Sequence, residues 1–113
     1  MARTLFEKII AKEIPASFLY EDELCVAIRD INPQAPLHAL IIPRQMIAQL
    51  SHAKTEDQAL LGHLMLVANR IAADAGYGNA FRLVVNNGAE AGQSVFHIHV
   101  HVLGGRPLSW PPG

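Results

Sequence analysis

No stretch of this sequence stays apolar for the ~20 residues that a bilayer-crossing helix needs, so no membrane span is expected. The first residues, Met1-Ala2-Arg3-Thr4-Leu5-Phe6-Glu7-Lys8, lack the apolar core of a signal peptide. A single cysteine, Cys25, excludes an internal disulfide and suits a reducing compartment, so the expected location is cytoplasmic. Its neighbours Leu24, Val26, Ala27 and Ile28 mark it as a packed strand residue, not a nucleophile. An excess of one charge is also missing: nine Lys and Arg face ten Asp and Glu, and no segment gathers the basic ones. That argues against binding long nucleic acid by phosphate neutralisation. It leaves room for a small phosphorylated ligand, which needs only a few local donors. Repeats, low-complexity tracts and linkers are absent too. The 113 residues, 50% of them hydrophobic, are expected to form one compact domain, 1–113.

What is present divides into short elements. Leu5–Lys12 has helical spacing and stops before Pro15. Phe18–Glu21 and Cys25–Asp30 are strand-like runs split by the acidic turn Asp22-Glu23, and read as a hairpin. Asn32-Pro33-Gln34-Ala35-Pro36 must be a loop, because two prolines remove two ladder donors. His38–Ile42 follows as a third strand, closed by Pro43. Thr55-Glu56-Asp57-Gln58 has a capping-box pattern, and helical periodicity runs from it through Leu60, Leu64, Val67 and Ile71 to Ala75. Leu61, Met65, Leu66 and Ala68 widen the apolar surface of that helix beyond one buried face. Water rarely covers such a patch, so a second subunit is expected there. Phe81–Asn87 is a fourth strand, and the polar loop Asn87–Ser94 leads into a fifth. Five strands and two helices make an α+β domain with a largely antiparallel sheet.

The fifth strand carries the chemistry. Residues 96–103 read Phe-His-Ile-His-Val-His-Val-Leu and hold three of the six histidines. On an extended strand His97, His99 and His101 share one face, while Phe96, Ile98, Val100 and Val102 anchor the other. Three imidazoles in a row build a poor hydrophobic surface but bring several neutral nitrogens to one place. A shared metal ion is disfavoured. His97 and His101 stand ~13 Å apart at Cβ on a regular strand, and imidazole reaches only ~6 Å to a metal. Two neighbours plus His38 could still meet, but the sequence has no cysteine cluster or zinc motif, so no metal or other cofactor is expected.

Nucleophilic catalysis at phosphorus fits better. A neutral imidazole can attack a phosphoryl centre and form a phosphoramidate that water then hydrolyses. His99, flanked by a ring on either side, is the position best supplied with proton donors and acceptors. Its ring must be neutral to attack, so activity should fall as pH drops through ~6.5. Gly92 permits close backbone approach to a phosphate, and Gln93 and Ser94 add N–H groups and a hydroxyl. Asn86 is placed to reach the same site, and His38 opens the third strand. His52 and His63, on a loop and a helix, are expected in solvent.

The run His97-Ile98-His99-Val100-His101-Val102-Leu103 resembles the signature of the histidine-triad (HIT) family, and the likeness covers nearly the whole chain. Phe6–Ile10, Glu13–Ala16, Asp30–Pro36, Gly92–Val95, Leu103–Arg106 and Trp110–Gly113 all look like its histidine triad nucleotide-binding protein branch. Met46 departs, standing where relatives commonly carry histidine. The resemblance implies a purine nucleoside phosphoramidase that cleaves adenosine or guanosine 5′-monophosphoramidates, with the phosphoramidate or AMP or GMP as its small-molecule partner. It also implies a homodimer whose two five-stranded sheets join into one of ten strands. His99 is then the nucleophile that becomes nucleotidylated, His101 contacts the phosphate, and His38 supports the cluster. His97 orients the middle ring through its backbone carbonyl. Asp30 matches the ribose-binding residue, Ile31 one that packs on the base, and Asn86, Gly92, Gln93 and Ser94 the phosphate-binding positions. Ser94 is also placed to help the leaving group, and Trp110 lies in a tail that resembles family tails reaching a partner subunit's active site. The alternatives are a dinucleoside polyphosphate hydrolase with the same triad, and a nucleotide-binding regulatory protein. The amine leaving group and the purine preference are not written in the residues.

Overall fold

The computed structural model describes residues 3–113; Met1 and Ala2, the first two of the N-terminal stretch above, lie outside them. The order is helix α1 (Leu5–Ile10), strands β1 (Phe18–Glu21), β2 (Cys25–Arg29) and β3 (Leu37–Pro43), helix α2 (Gln58–Asp74), then β4 (Phe81–Val84) and β5 (Val100–Gly104). The strands form one sheet in the order β1-β2-β3-β5-β4, and every neighbouring pair is antiparallel. This is the five-stranded α+β arrangement expected from the sequence. No helix among the described residues is long and apolar enough to cross a membrane.

Strand alternation sorts side chains onto two faces. Cys25, Ala27, Leu37, Ala39, Ile41, Val100 and Val102 pack against α2. That helix buries Leu64, Val67, Ala68, Ile71 and Ala72, a single stripe at three- and four-residue steps. Ala68, read above as part of a second apolar face, belongs to this stripe. Met65 and Leu66 remain outside it, 51% and 70% exposed. The opposite face of the sheet buries Val26, Ile28, Leu40 and Ile42 beneath Phe6 and Ile9 of α1. His38 and His101 fall on this α1 face by the same alternation.

Two expectations at the helix ends need correction. Thr55 does not cap α2. Thr55–Asp57 is a separate 3-10 turn, and the Asp57 carboxylate accepts the Lys54 N–H at 2.9 Å. The unread cap is Thr4 on α1: its hydroxyl accepts the Glu7 N–H at 3.1 Å, and Glu7 accepts the Thr4 N–H at 2.8 Å. His63 does not stand free in solvent either. Its Nε2 meets the Asp22 carboxylate at 2.6 Å, joining α2 to the β1–β2 turn. Asp22 also takes the Leu24 and Cys25 N–H groups and the Tyr20 hydroxyl, and these partners hold its carboxyl far below the usual range although burial opposes them. His52 is exposed, in line with its reading.

Candidate active site

The histidine run is not one continuous strand. Phe96–His99 is irregular, and regular pairing begins only at Val100. The Ile98 N–H leaves the sheet to bond the Ile47 carbonyl at 2.7 Å. Phe96 is exposed instead of anchoring a core. His97 is fully buried and turned beneath the start of α1, while His99 and His101 stay together with ring centroids 5.1 Å apart. Strict two-residue alternation therefore fails at the first of the three histidines and holds for the other two.

Hydrogen bonds assign the tautomer of every ring in the cluster. A carbonyl only accepts, so the Pro43 carbonyl 2.7 Å from His97 Nε2 puts the proton there. Burial disfavours the charged form of His97, which leaves Nδ1 bare to accept from the Thr4 hydroxyl at 3.3 Å. His99 donates from Nδ1 to the His97 carbonyl at 2.9 Å. Burial likewise pushes the His99 pKa down, which leaves a lone pair on Nε2. The edge of Phe6 packs against this ring, centroids 4.9 Å apart.

The remaining two rings form a relay. The Gln34 backbone N–H donates to His38 Nδ1 at 3.0 Å, so the His38 proton sits on Nε2. That nitrogen donates to His101 Nδ1 at 2.9 Å, with an Asp30 carboxylate oxygen 3.4 Å away. His101 must then carry its own proton on Nε2. Burial, followed by the neighbouring His99 and His38 rings, pushes the His101 pKa down to about 4. The cluster thus presents a bare nitrogen on His99 and an N–H on His101.

Both rings line a cleft of about 240 Å³, together with Asp30, Ile31, Asn86, Gly92, Ser94 and an apolar wall that includes Phe6, Ile9, Ile28 and Leu40. Gly92 adopts a left-handed φ of 99°, and a side chain there would meet the Asn86 carboxamide at 3.6 Å. Ile31 is 99% exposed at the mouth. Asp30 also accepts the Asn32 N–H at 2.8 Å, so the carboxylate shapes its loop as well as the cleft. A larger cleft of about 370 Å³, bordered by Leu19, Leu37, Ile71 and Tyr77, lies on the α2 face and holds none of the histidines. The buried histidines with lowered pKa values, His99 and His101, line the smaller one beside Asp30, and it is the site to pursue.

Four expected site residues stand outside this chain's own cleft wall. The Gln93 side chain is buried beneath its own loop, accepting from the Gly88 N–H and donating to the Ala48 and Val95 carbonyls. It fixes the loop's path and does not line the cleft. His97 and His38 back the reactive rings from behind. Trp110 is 82% exposed, on a tail whose Leu108 and Ser109 carbonyls are held by Arg82, away from its own chain's cleft, which leaves it available to a partner subunit. Thr4, the Pro43 carbonyl and the Gln34 amide were not foreseen. Only Thr4 had a signal, the Thr4-x-x-Glu7 capping pattern.

Among the described residues, two groupings bring three potential metal ligands together: Asp30 with His38 and His101, and Asp22 with Cys25 and His63. The first does not fit a cation. His38 would have to ligate through Nε2 and move its proton to Nδ1, where the Gln34 N–H already points. In the second, four hydrogen bonds occupy Asp22, and burial raises the Cys25 pKa to about 12.

Known proteins share this architecture closely. A HIT family hydrolase from Legionella pneumophila superposes with a TM-score of 0.96 at 45% identity, over 98% of this chain and 100% of that one. An uncharacterised HIT-like protein of Synechocystis is 64% identical over 97% of this chain and 96% of its own length. A 14 kDa zinc-binding protein of maize is 51% identical over 97% and 88%. The family model for the HIT domain matches residues 11–108, and the chain belongs to that family.

Proposed function

We propose that this chain is a purine nucleoside phosphoramidase, a hydrolase of the phosphorus–nitrogen bond that works through nucleotidyl-His99. The observation that carries the reading is the tautomer of His99: its Nδ1–H is spent on the His97 carbonyl, so the bare Nε2 belongs to the cleft. In the first step that lone pair forms a bond to phosphorus. The phosphorus–nitrogen bond breaks, its electron pair leaves on the amine nitrogen, and a proton from the Ser94 hydroxyl or the imidazole relay neutralises it. In the second step a water oxygen bonds to phosphorus, the bond to Nε2 breaks, and the pair returns to His99. The water's proton resets the donor. His101 Nε2–H, Asn86 and the loop at Gly92 and Ser94 are placed to stabilise charge on the phosphoryl oxygens. Ile31, an apolar side chain with no cover from its own chain, supports stacking on a purine, with Asp30 beside it for the ribose hydroxyls.

The test is one enzyme stock offered an adenosine 5′-phosphoramidate and a dinucleoside polyphosphate in parallel. Faster cleavage of the polyphosphate would sink the reading. The pH dependence is specific. A lowered His99 pKa keeps Nε2 bare into mildly acidic solution, so kcat/KM should hold through pH ~6.5 and fall only below it. The acid limb is thus expected below the ordinary imidazole value that the sequence alone suggests. A limb at or above ~6.5 would contradict the buried-ring explanation.

The second element of the proposal is a homodimer. β4 is an edge strand with one side unpaired within its own chain, and Met65 and Leu66 stand exposed on α2. Pairing two β4 edges would extend the sheet to ten strands and give the apolar helix surface a cover. Leu66→Glu should produce a monomer in sedimentation at micromolar concentration and lower stability, because the charge would be desolvated at the interface. A wild-type monomer at that concentration would refute the dimer.

A further inference from the structure

Among the described residues, the cleft wall offers an incoming phosphoryl group no free cation. Of the nine lysines and arginines, only Arg29 borders it. Along β2, Val26 and Ile28 face α1 while Cys25 and Ala27 face α2. Arg29 follows the second set, and it borders the other cleft with Asp74 and Tyr77. Elsewhere, Arg3, Lys12, Arg44 and Arg70 lie in ion pairs with Glu13, Glu21, Glu21 and Asp74. Arg82 and Arg106 hold main-chain carbonyls, and Lys8 and Lys54 are exposed outside the cleft wall.

The histidines do not replace the missing charge. The Gln34 N–H on His38 Nδ1 requires a neutral His38, and His38 donating to His101 leaves that ring neutral as well. His97 and His99 are buried with their N–H groups on carbonyls. The formal charge in the cleft wall that remains is the Asp30 carboxylate, and it is negative. From α1, Glu7 is tied to the Thr4 N–H, and Glu90 on the 89–91 turn is exposed. Every donor that the described residues of this chain offer to a phosphoryl group is therefore neutral.

We propose that this cleft selects its phosphoryl group by charge, accepting a phosphorus that bears one ionised oxygen and rejecting the doubly ionised phosphate of a free nucleotide. Neutral donors can match one negative charge, but a second must be desolvated beside Asp30 without a counter-ion. The ligand class is a nucleoside 5′-phosphoryl group capped by an amide or ester. The proposal rests on the reading of this cleft as the phosphoryl site. It adds a reason for turnover to proceed forward: hydrolysis converts a singly charged substrate into a doubly charged product that the cleft holds poorly.

The test compares two ligands of the wild-type protein by calorimetry, adenosine 5′-monophosphate and its 5′-phosphate methyl ester. The ester carries one charge throughout, whereas the monophosphate loses its second proton near pH ~6. Between pH ~5.5 and ~8 the monophosphate should lose about tenfold or more in affinity while the ester stays level. A monophosphate affinity that holds or rises with pH overturns the proposal. So does a parallel change in the ester, which would assign the effect to Asp30 or the histidines, and so does no binding of either. Turnover of a phosphoramidate by the same stock reports separately: its absence would remove the assigned reaction while the charge comparison stands. Asn86→Arg, which puts a cation in the cleft, should recover monophosphate affinity at pH ~8 more than ester affinity.

Discussion

His99→Gln should abolish the covalent intermediate and slow turnover about a thousandfold or more, while nucleotide affinity changes only a fewfold. The glutamine amide is long enough to keep a donor near the His97 carbonyl, so the buried acceptor need not be orphaned. It has no nitrogen lone pair able to bond to phosphorus. The remaining phosphate donors, His101, Asn86 and Ser94, stay in the cleft wall. A single turnover of labelled substrate, quenched and digested, should place the label on the peptide's His99 in the wild type and nowhere in the variant. Label on His97 or His101, or undiminished turnover by the variant, would overturn the assignment. His97 is a poor rival on geometry alone, since both its ring nitrogens are engaged beneath α1.

Gly105→Ala should be the most damaging single methyl addition outside the site. Its φ of 96° lies in the left-handed region, which costs an alanine about 1–2 kcal/mol. The new Cβ would also stand 2.8 Å from Pro36 Cβ and 2.9 Å from Tyr77 Cζ. Neither ring can step aside as a flexible chain end could, and overpacking of this kind adds about 1–3 kcal/mol. A total of about 3 kcal/mol is a large share of the roughly 5–15 kcal/mol that holds a typical domain together. Urea unfolding should show the loss as a lower midpoint at unchanged slope. A shift worth less than about 0.5 kcal/mol would mean that Pro36 and Tyr77 do not clamp this turn.

The strands were legible because their cues are local. β1 was read to the residue, and β2 and β3 to within one residue at each end, since alternation, an acidic turn and flanking prolines act over a few positions. The buried stripe of α2 was legible for the same reason, its period being a property of one helix. What failed depended on partners far along the chain. Nothing near Ile98 announces that its N–H bonds Ile47, and that bond is what breaks the histidine strand. His63 and Asp22 meet across 41 positions. Gln93 has phosphate-binding chemistry, and only the position of Ala48 shows that its amide is committed to the loop. In the site, His99, His101, Asp30, Ile31, Asn86, Gly92 and Ser94 do share one cleft. The tautomers that give those residues their roles were beyond sequence reading, because main-chain groups set them.

Main-chain control of the tautomers has a genetic consequence. The proton on His97 is placed by the Pro43 carbonyl, the proton on His99 by the His97 carbonyl, and the proton on His38 by the Gln34 amide. A point mutation changes side chains and leaves peptide groups in place, unless it introduces proline where an amide is needed. Substitutions at positions 34 and 43 that preserve the chain path should therefore be silent for the polarity of the cluster, and Gln34→Pro should not be. The reactive nitrogen takes its orientation from a part of the molecule that ordinary sequence drift does not reach.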